Sequence, residues 1–289
     1  MTVLAELTVR LGADRVVVDP GLLASYRHDR AALAPAGQPL AAVRARSLDD
    51  VVATLQTASR YGVPVVTRGA GSGLSGGANA LDGCLVLSTA ELTRILAVDP
   101  AQRTATVECG VLTGDLGAAV AELGLHYPPD PASRAFSTIG GNIATNAGGG
   151  CCLKYGVTGD HVAALTAVLA DGTVIRTGAL PRKNVAGYDL TRLLVGSEGT
   201  LAVIVEATVR LRPAPAPPAT LVAFFDSPSA AGDAVVALEQ QAEPSLLELM
   251  DRTTIGAVEE LTRMGLDTTA GALLLVQTDT HDSAAEIVR

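Results

Sequence analysis

The chain has 289 residues, a formal net charge of -9 at pH 7, 48% hydrophobic residues and 18% charged residues. This length can bury a large core in one large or two smaller domains, and the acidic balance argues against a nucleic-acid surface, which needs clustered lysine and arginine. No long apolar run occurs and charged residues interrupt the N-terminus, so we expect a cytoplasmic protein without an integral membrane segment.

The cysteines and histidines do not indicate a disulfide framework or a metal site. Neither a C-x-x-C pair nor a closely spaced histidine pair occurs, and four cysteines are few for a chain of this length. We interpret the cysteines as packing residues, while the adjacent Cys151 and Cys152 leave a reactive pair open. None of the single histidines is identified as a base.

The first 35 residues are predicted to form an N-terminal arm, with a helix at residues 3–11, then Pro20-Gly21 and a polar stretch, and with a break at Pro35, Gly37 and Pro39. A short strand at residues 40–44 follows. The next helix is expected to begin after Ser47, whose side chain can cap it, and to end at Gly62.

Residues 63–68 form an apolar run typical of a buried strand, and five glycines follow between Gly69 and Gly77. Glycine allows positive φ and close approach of the backbone, so successive N–H groups can face a phosphate or pyrophosphate. Residues 71–76 match G-x-G-x-x-G, but the dinucleotide fingerprint needs a helix next, whereas residues 84–88 indicate a strand. A P-loop requires a lysine directly after its last glycine, and none of these glycines is followed by one. We therefore predict a phosphate cradle between two strands, with a mobile surface turn as the alternative.

A second glycine-rich block follows an α/β pattern. Strands at residues 95–98 and 104–109 and a helix at residues 113–123 indicate a two-layer unit. Residues 126–133 contain three prolines and are predicted to form a rigid extended loop. In the block at residues 137–150, small side chains permit close approach of a bulky ligand; a helix-packing seam through the glycines is the alternative.

Residues 164–170 and 173–177 are predicted to form a hairpin with a type I′ turn at Asp171-Gly172. Asp189 can cap a short helix, and a long strand is expected at residues 201–211. The prolines that follow form a stiff spacer, where we place a domain boundary.

Beyond the spacer, the pattern predicts strand, helix, strand, helix and strand at residues 220–225, 229–241, 245–250, 254–264 and 272–278. A further helix is expected to begin at Asp282 or Ser283, and the chain ends within it. A helix of about seven residues is marginal by itself, so we expect this domain to be incomplete at its C-terminus.

Five motifs occur in the order in which one family carries them. They are TRGAGSGLSGG at residues 67–77, PPDP at 128–131, IGGNIATNAGG at 139–149, KYG at 154–156 and VGSEGTL at 195–201. On these motifs the chain resembles the FAD-linked oxidases of the vanillyl-alcohol oxidase type, which share a PCMH-type FAD-binding domain. Within that family it resembles the glycolate oxidase FAD-binding subunit and the D-lactate and D-2-hydroxyglutarate dehydrogenases.

The resemblance implies an α+β fold. Residues 36–215 would form a PCMH-type FAD-binding domain of two α/β subdomains, preceded by the arm at residues 1–35. Residues 219–289 would form the N-terminal part of a ferredoxin-like α+β substrate (cap) domain, an assignment that the sequence LLELMD at residues 246–251 supports.

The resemblance also implies the cofactor contacts. Residues 69–75 would wrap the FAD pyrophosphate with backbone N–H groups, and the segments near Pro129 and Thr138 would line the flavin and ribityl side. Residues 155–157 and 198–204 would complete the pocket. The predicted FAD-binding residues are Arg68, Gly69, Ala70, Gly71, Ser72, Gly73, Leu74, Ser75, Pro129, Asp130, Ser133, Thr138, Gly140, Gly141, Asn142, Ala144, Thr145, Tyr155, Gly156, Val157, Glu198, Gly199 and Ile204.

The reaction that the resemblance implies is oxidation of a 2-hydroxy acid, such as glycolate or D-lactate, to the 2-oxo acid by hydride transfer to flavin N5. Glycolate oxidase relatives pass electrons to iron–sulfur subunits, so an iron–sulfur electron-transfer partner is implied. Two alternatives stay open. One is a non-catalytic FAD-binding remnant or truncated chain, and the other is a sibling FAD oxidase acting on a sugar alcohol or a nucleotide-sugar enoyl group.

Departures from the family pattern bear on this activity. The His-Gly-Asp-Gly-Asn-like segment that supplies the base and metal ligands in hydroxy-acid members does not occur, so neither a base nor a metal ligand is assigned, and His281 is not a substitute. Arg182 and Lys183 could attract a carboxylate, although a solvated charge pair is the simpler interpretation. Ala202 replaces the usual glycine and adds a methyl group near the cofactor.

We predict that FAD is bound non-covalently. Relatives that link FAD covalently carry a histidine in the first glycine loop, where this chain has Gly71-Ser72-Gly73. Acid precipitation of the holoprotein should therefore release the yellow cofactor into the supernatant. Colour that stays with the precipitated chain would contradict this prediction.

Overall fold

A computed structural model describes residues 1–31, 33–181 and 183–280. Arg182, His281 and the helix predicted from residue 282 onward lie outside the described residues. The chain divides into two compact units. The first contains Met1–Tyr127, Ala132–Ala147 and Val157–Pro213, and the second contains Pro128–Pro131, Gly148–Gly156 and the residues from Ala214 onward.

The helices are α1 (Val3–Leu11), α2 (Pro20–Leu23), α3 (Leu48–Tyr61), α4 (Thr113–Ala121), α5 (Ile139–Thr145), α6 (Cys152–Tyr155), α7 (Leu190–Leu194), α8 (Pro228–Glu239) and α9 (Arg252–Thr262). The strands are β1 (Val16–Val17), β2 (Ala41–Arg44), β3 (Val65–Arg68), β4 (Leu85–Ser88), β5 (Ile95–Asp99), β6 (Thr104–Glu108), β7 (Leu125–His126), β8 (Val162–Val168), β9 (Val174–Gly178), β10 (Val203–Arg210), β11 (Arg212–Pro213), β12 (Ala219–Phe225), β13 (Leu246–Asp251) and β14 (Ala272–Thr278).

A four-stranded sheet in the first unit has the order β1-β2-β4-β3, and β2, β4 and β3 are parallel. The side chains of Leu85, Val86 and Leu87 in β4 are fully buried, as expected for parallel strands covered on both faces. The helix α3 begins directly after Ser47, whose Oγ accepts a hydrogen bond from the Asp50 N–H at 3.1 Å, as the sequence predicts.

The N-terminal residues are built into this sheet. The strand β1 pairs antiparallel with β2, with Val16 opposite Val43, and α1 packs against α3. Leu7 of α1 is fully buried in the same core as Val43. The structure therefore places most of the predicted arm inside the first unit.

A second sheet of the first unit is antiparallel, with the order β5-β6-β10-β8-β9. In the β8–β9 hairpin, the prediction of a type I′ turn is wrong, because that turn needs positive φ at both central residues, and only Gly172 of the pair has it, at 87°. The Asp171 carboxylate instead accepts a hydrogen bond from the Thr173 N–H at 2.8 Å, and the Gly172 N–H donates to the Leu169 carbonyl at 2.9 Å. The side chain of Asp171 thus stabilises a different turn.

The second unit contains the sheet β12-β14-β13, in which β12 and β13 each run antiparallel to the central β14. The helix α8 connects the two outer strands, which gives the split β-α-β arrangement of ferredoxin-like folds. Ile255, Ala270 and Leu273 form its core. With helices and sheets in both units, the α+β prediction is confirmed.

A buried charge cluster ties two parts of the second unit together. Asp279, which follows β14, is only 9% exposed, and its carboxylate lies 2.5 Å from the Lys154 Nζ. The Tyr155 hydroxyl donates to the other carboxylate oxygen. Burial works against ionisation, but the hydrogen bonds from Lys154 and Tyr155 outweigh it and lower the pKa of Asp279 below its usual value.

We expect Asp279→Asn to destabilise the chain at pH 7 by about 1.5–3 kcal/mol, the range for hydrogen bonds to charged groups. A carboxyl with a lowered folded-state pKa stabilises the protein above its unfolded-state pKa, and this contribution is lost as the pH falls through the folded-state pKa. Thermal unfolding of wild type and variant should therefore converge in acid.

Asp233→Asn, on the exposed side of α8, is the matched control and should unfold like wild type at each pH. An equal loss for Asp279→Asn at neutral and acidic pH would show that the charge of Asp279 does not contribute.

Candidate cofactor site

The first unit contains a cavity of about 440 Å³, a volume typical of small-molecule sites. It lies where β3 and β4 end, because the parallel pairing of these strands places Arg68 opposite Ser88 at one edge of the sheet. Ligands of open parallel sheets bind at this edge. The predicted residues that line it are Gly69, Ala70, Gly71, Ser72, Gly73, Leu74, Ser75, Ser133, Thr138, Gly140, Gly141, Asn142, Ala144, Thr145, Glu198, Gly199 and Ile204.

The first glycine loop needs glycine for two separate reasons. Gly71 has a φ of 68°, a left-handed conformation that side chains with a Cβ rarely adopt. At Gly69, whose φ is ordinary, an added Cβ would lie 2.5 Å from the Thr138 Oγ1. The first loop therefore approaches the second glycine block as closely as a residue without a side chain permits.

The loop presents its backbone to the cavity without cationic side chains. Among the described residues, none accepts a hydrogen bond from the backbone N–H groups of residues 71–75. The lining includes Asp29 and Glu198, and within the described part of the chain it includes no lysine or arginine. An anionic ligand would thus be held by backbone N–H groups, which suits a pyrophosphate in contact with a glycine-rich loop. The residues present fit FAD in this respect.

Part of the second glycine block folds as the helix α5, which the sequence analysis gave only as the alternative of a helix-packing seam. The Thr138 side chain caps it by accepting a hydrogen bond from the Gly141 N–H at 3.2 Å. The buried Asn142 donates from Nδ2 to the Thr113 Oγ1 at 2.5 Å. The Gly140 N–H donates to the Cys109 carbonyl at 2.7 Å, and a Cβ at Gly140 would lie 2.5 Å from the Cys109 Cβ. Glycine therefore serves helix packing in the same block that lines the cavity.

Glu198 connects the segment that precedes β10 to the first glycine loop and to α5. It has a φ of 49°, and its backbone N–H donates to the Ala144 carbonyl at 2.8 Å. The Ser75 hydroxyl donates to the Glu198 Oε2 at 3.2 Å. A side chain at Gly77 would collide with the same carboxylate. The carboxylate of Glu198 thus closes the first loop onto the segment that precedes β10.

Six predicted residues do not line this cavity. Arg68 lies behind the loop, where its guanidinium donates to the Ala78 and Ser25 carbonyls, each at 3.3 Å. Burial lowers the pKa of Arg68, and the nearby Asp29 acts in the opposite direction. Val157 precedes a short 3-10 helix of the first unit. The remaining four belong to the second unit: Pro129, Asp130, Tyr155 and Gly156.

Several lining residues were not in the predicted set: Asp29, Thr67, Gly77, Ala78, Thr89, Ala147 and Ala202. Gly77 and Ala78 continue the first loop, and Thr67 and Thr89 lie at the ends of β3 and β4, so strand register would have found them. Ala202, which replaces the glycine usual in the family, is one of these lining residues. No sequence pattern near Asp29 predicts that it lines the cavity, because only the tertiary fold brings it to the loop.

Comparison with known proteins identifies the family. Residues 39–178 match the family described as "FAD binding domain", and residues 214–287 match the family described as "FAD linked oxidases, C-terminal domain". The chain belongs to the FAD-linked oxidases. The predicted family and its cofactor, FAD, are confirmed.

Two relatives carry names that describe their reactions. The chain is 46% identical to "Glycolate oxidase subunit GlcD" of Bacillus subtilis over 83% of this chain and 52% of that protein. It is 35% identical to "D-lactate dehydrogenase" of Anaerostipes hadrus over 85% of this chain and 52% of that protein. The chain thus spans about half the length of these relatives.

Solved structures show the same fold. Alkyldihydroxyacetonephosphate synthase matches with a TM-score of 0.80 at 20% identity, over 98% of this chain and 56% of that chain. p-Cresol methylhydroxylase matches with a TM-score of 0.78 at 19% identity, over 99% of this chain and 62% of that chain. The PCMH-type fold prediction is therefore confirmed. In the described residues, no helix has the length and apolar character that crossing a membrane requires.

We expect Gly69→Ala to weaken FAD binding at least tenfold, or about 1.4 kcal/mol, because the new methyl group displaces the loop from Thr138. Gly232→Ala is the matched control, since its Cβ would meet nothing within 4 Å. Titration of the apoproteins with FAD, followed by flavin fluorescence, measures both. Equal affinities for the two variants would contradict a tight contact between the loop and α5.

Proposed function

We propose that this chain is the FAD-binding part of an oxidoreductase that converts a 2-hydroxy acid to the corresponding 2-oxo acid. The observation that supports it most is the meeting of both glycine blocks in one cavity whose loop N–H groups are available to a pyrophosphate. The substrate class comes from the relatives, which are named for glycolate and D-lactate. Both compounds are 2-hydroxy acids.

The proposed role of the chain is binding and orientation. The N–H groups of residues 71–75 hold the pyrophosphate, and the small residues of α5, such as Gly141 and Ala144, leave room for the rest of the cofactor. Glu198 keeps the first loop closed through Ser75. When bound, FAD supplies the hydride acceptor at its flavin N5.

The remaining parts of the site are assigned on the family resemblance. We assign Pro129, Asp130, Tyr155, Gly156 and Val157 to the flavin end of the cofactor. We likewise keep residues 36–215 as the FAD-binding domain and residues 219–289 as part of a substrate domain. No residue of this chain is assigned as the base that removes the hydroxyl proton.

A partner subunit is part of the proposal. The glycolate oxidase relative is named as a subunit, which supports an electron-transfer partner for this chain. We assign that partner to the iron–sulfur class and the pair to the cytoplasm, at the membrane surface if the partner binds there.

The test is reduction of the bound flavin by substrate in the absence of oxygen. We expect glycolate or D-lactate to bleach the oxidised flavin band of the whole oxidoreductase that contains this chain, and L-lactate, the mirror image of D-lactate, serves as the matched control. D-2-hydroxyglutarate tests a longer acid. Dithionite should bleach every sample, which shows that the flavin is reducible.

The same experiment separates the alternatives. Bleaching by dithionite with none of the acids would contradict the proposal and favour a non-catalytic FAD-binding chain. Bleaching by a sugar alcohol such as xylitol, and not by the acids, would favour the sibling oxidase.

A further inference from the structure

A short N-terminal segment, residues 27–31, runs beside the far half of the glycine loop. The Arg30 N–H donates to the Gly73 carbonyl at 2.9 Å, and the Ala80 N–H donates to the Arg27 carbonyl at 2.9 Å. The Asp29 N–H donates to the Asn79 Oδ1 at 2.7 Å. This segment therefore holds the glycine loop from its middle to its end by backbone groups.

The Asp29 side chain adds to these contacts and lines the cavity. Its Oδ1 accepts from the Ala31 N–H at 2.8 Å, and its Oδ2 accepts from the Ala78 N–H at 3.4 Å. A Cβ at Gly73 would lie 3.4 Å from the Asp29 Oδ2, so this carboxylate lies close beside the loop. Asp29 thus fixes its own segment and the end of the loop at once.

Two side chains fix this part of the chain further: Asn79 binds the residues that follow the segment, and Arg30 of the segment contacts Phe136. The buried Asn79 donates from Nδ2 to the Ala34 carbonyl at 3.3 Å and the Pro35 carbonyl at 3.1 Å. The Arg30 guanidinium lies 4.8 Å from the centre of the Phe136 ring, a cation–π contact. These anchors give the segment a defined position from which to hold the loop.

The charge of Asp29 is unfavourable for an anionic ligand. A carboxylate in the wall of a pyrophosphate site repels that ligand. The hydrogen bonds and contacts of Asp29 with the loop, in contrast, favour binding of the ligand. A loop that is ordered before binding loses less conformational entropy when the ligand arrives.

We propose that residues 27–31 form an N-terminal clasp that holds the glycine loop in its FAD-binding conformation, with Asp29 as the positioning residue. The inference rests on the proposed location of the FAD pyrophosphate in this loop. Release of FAD requires the loop to loosen, so the clasp acts mainly on the dissociation rate.

The experiment compares FAD binding by apoproteins of wild type, Asp29→Ala and Asp29→Asn. We expect Asp29→Ala to raise the FAD dissociation rate about tenfold, with a smaller change in the association rate. Asp29→Asn should recover only part of the loss, because its single amide oxygen can replace one of the two carboxylate oxygens that accept backbone N–H groups, and its amide nitrogen cannot accept.

Asp82→Ala is the matched control. The Asp82 carboxylate accepts from the Gln38 N–H at 2.7 Å, so it holds the chain just after the clasp without lining the cavity. We expect its FAD kinetics to equal those of wild type, even if its thermal stability falls. Equal dissociation rates for Asp29→Ala and Asp82→Ala would overturn the proposal.

Asn79→Ala tests the clasp without altering Asp29. This variant should also raise the FAD dissociation rate. The dissociation rate of the double variant Asp29→Ala/Asn79→Ala should exceed that of the faster single variant by no more than about twofold, because both changes open the same clasp. Fully additive effects would overturn the proposal, and so would tighter FAD binding by Asp29→Ala, which would leave repulsion as the role of Asp29.

The FAD-binding measurements do not depend on catalytic activity, so they separate failure of the clasp from failure of the proposed function. If wild-type apoprotein binds no FAD, the proposed cofactor site itself fails. If wild type binds FAD and Asp29→Ala binds it identically, only the clasp fails and the proposed function stands.

Discussion

An anionic ligand in the cavity of the first unit would have to be held by backbone N–H groups. Among the described residues, the lining of this cavity carries the carboxylates of Asp29 and Glu198 and no cationic side chain. Backbone groups bind well only if the loop keeps one conformation, because ordering a flexible glycine loop on binding costs conformational entropy. Contacts with neighbouring segments hold the glycine loop in one conformation. Gly69 abuts Thr138, and Ser75 is hydrogen-bonded to Glu198.

The second glycine block shows that a ligand wall and a packing seam can be the same element. Gly140 lies against Cys109, where no larger residue fits, while the helix also contributes Gly141 and Ala144 to the cavity. Asn142 is committed to a hydrogen bond with Thr113. Tight packing of this short helix therefore brings its backbone to the cavity and holds it there.

The second unit is discontinuous in sequence. It takes in Pro128–Pro131 and Gly148–Gly156, which lie within the sequence of the first unit. Asp279 is 125 positions from Lys154, and the buried ion pair between them joins the sheet to the inserted segment. The segments Pro128–Pro131 and Gly148–Gly156 thus belong to the same unit as the sheet β12-β14-β13.

The sequence by itself determined the order and type of most elements, the five motifs and the family, because burial, helix caps and turns leave local patterns. The Ser47 cap and the elements of the second unit illustrate this. Only the tertiary structure decided that the second glycine block is helical, since glycine disfavours helices and the contacts with Cys109 and Thr113 come from other elements. It also decided the place of Asp29, whose backbone reaches Asn79 across 50 positions. Such contacts have no local pattern, because they exist only when distant segments have already folded together.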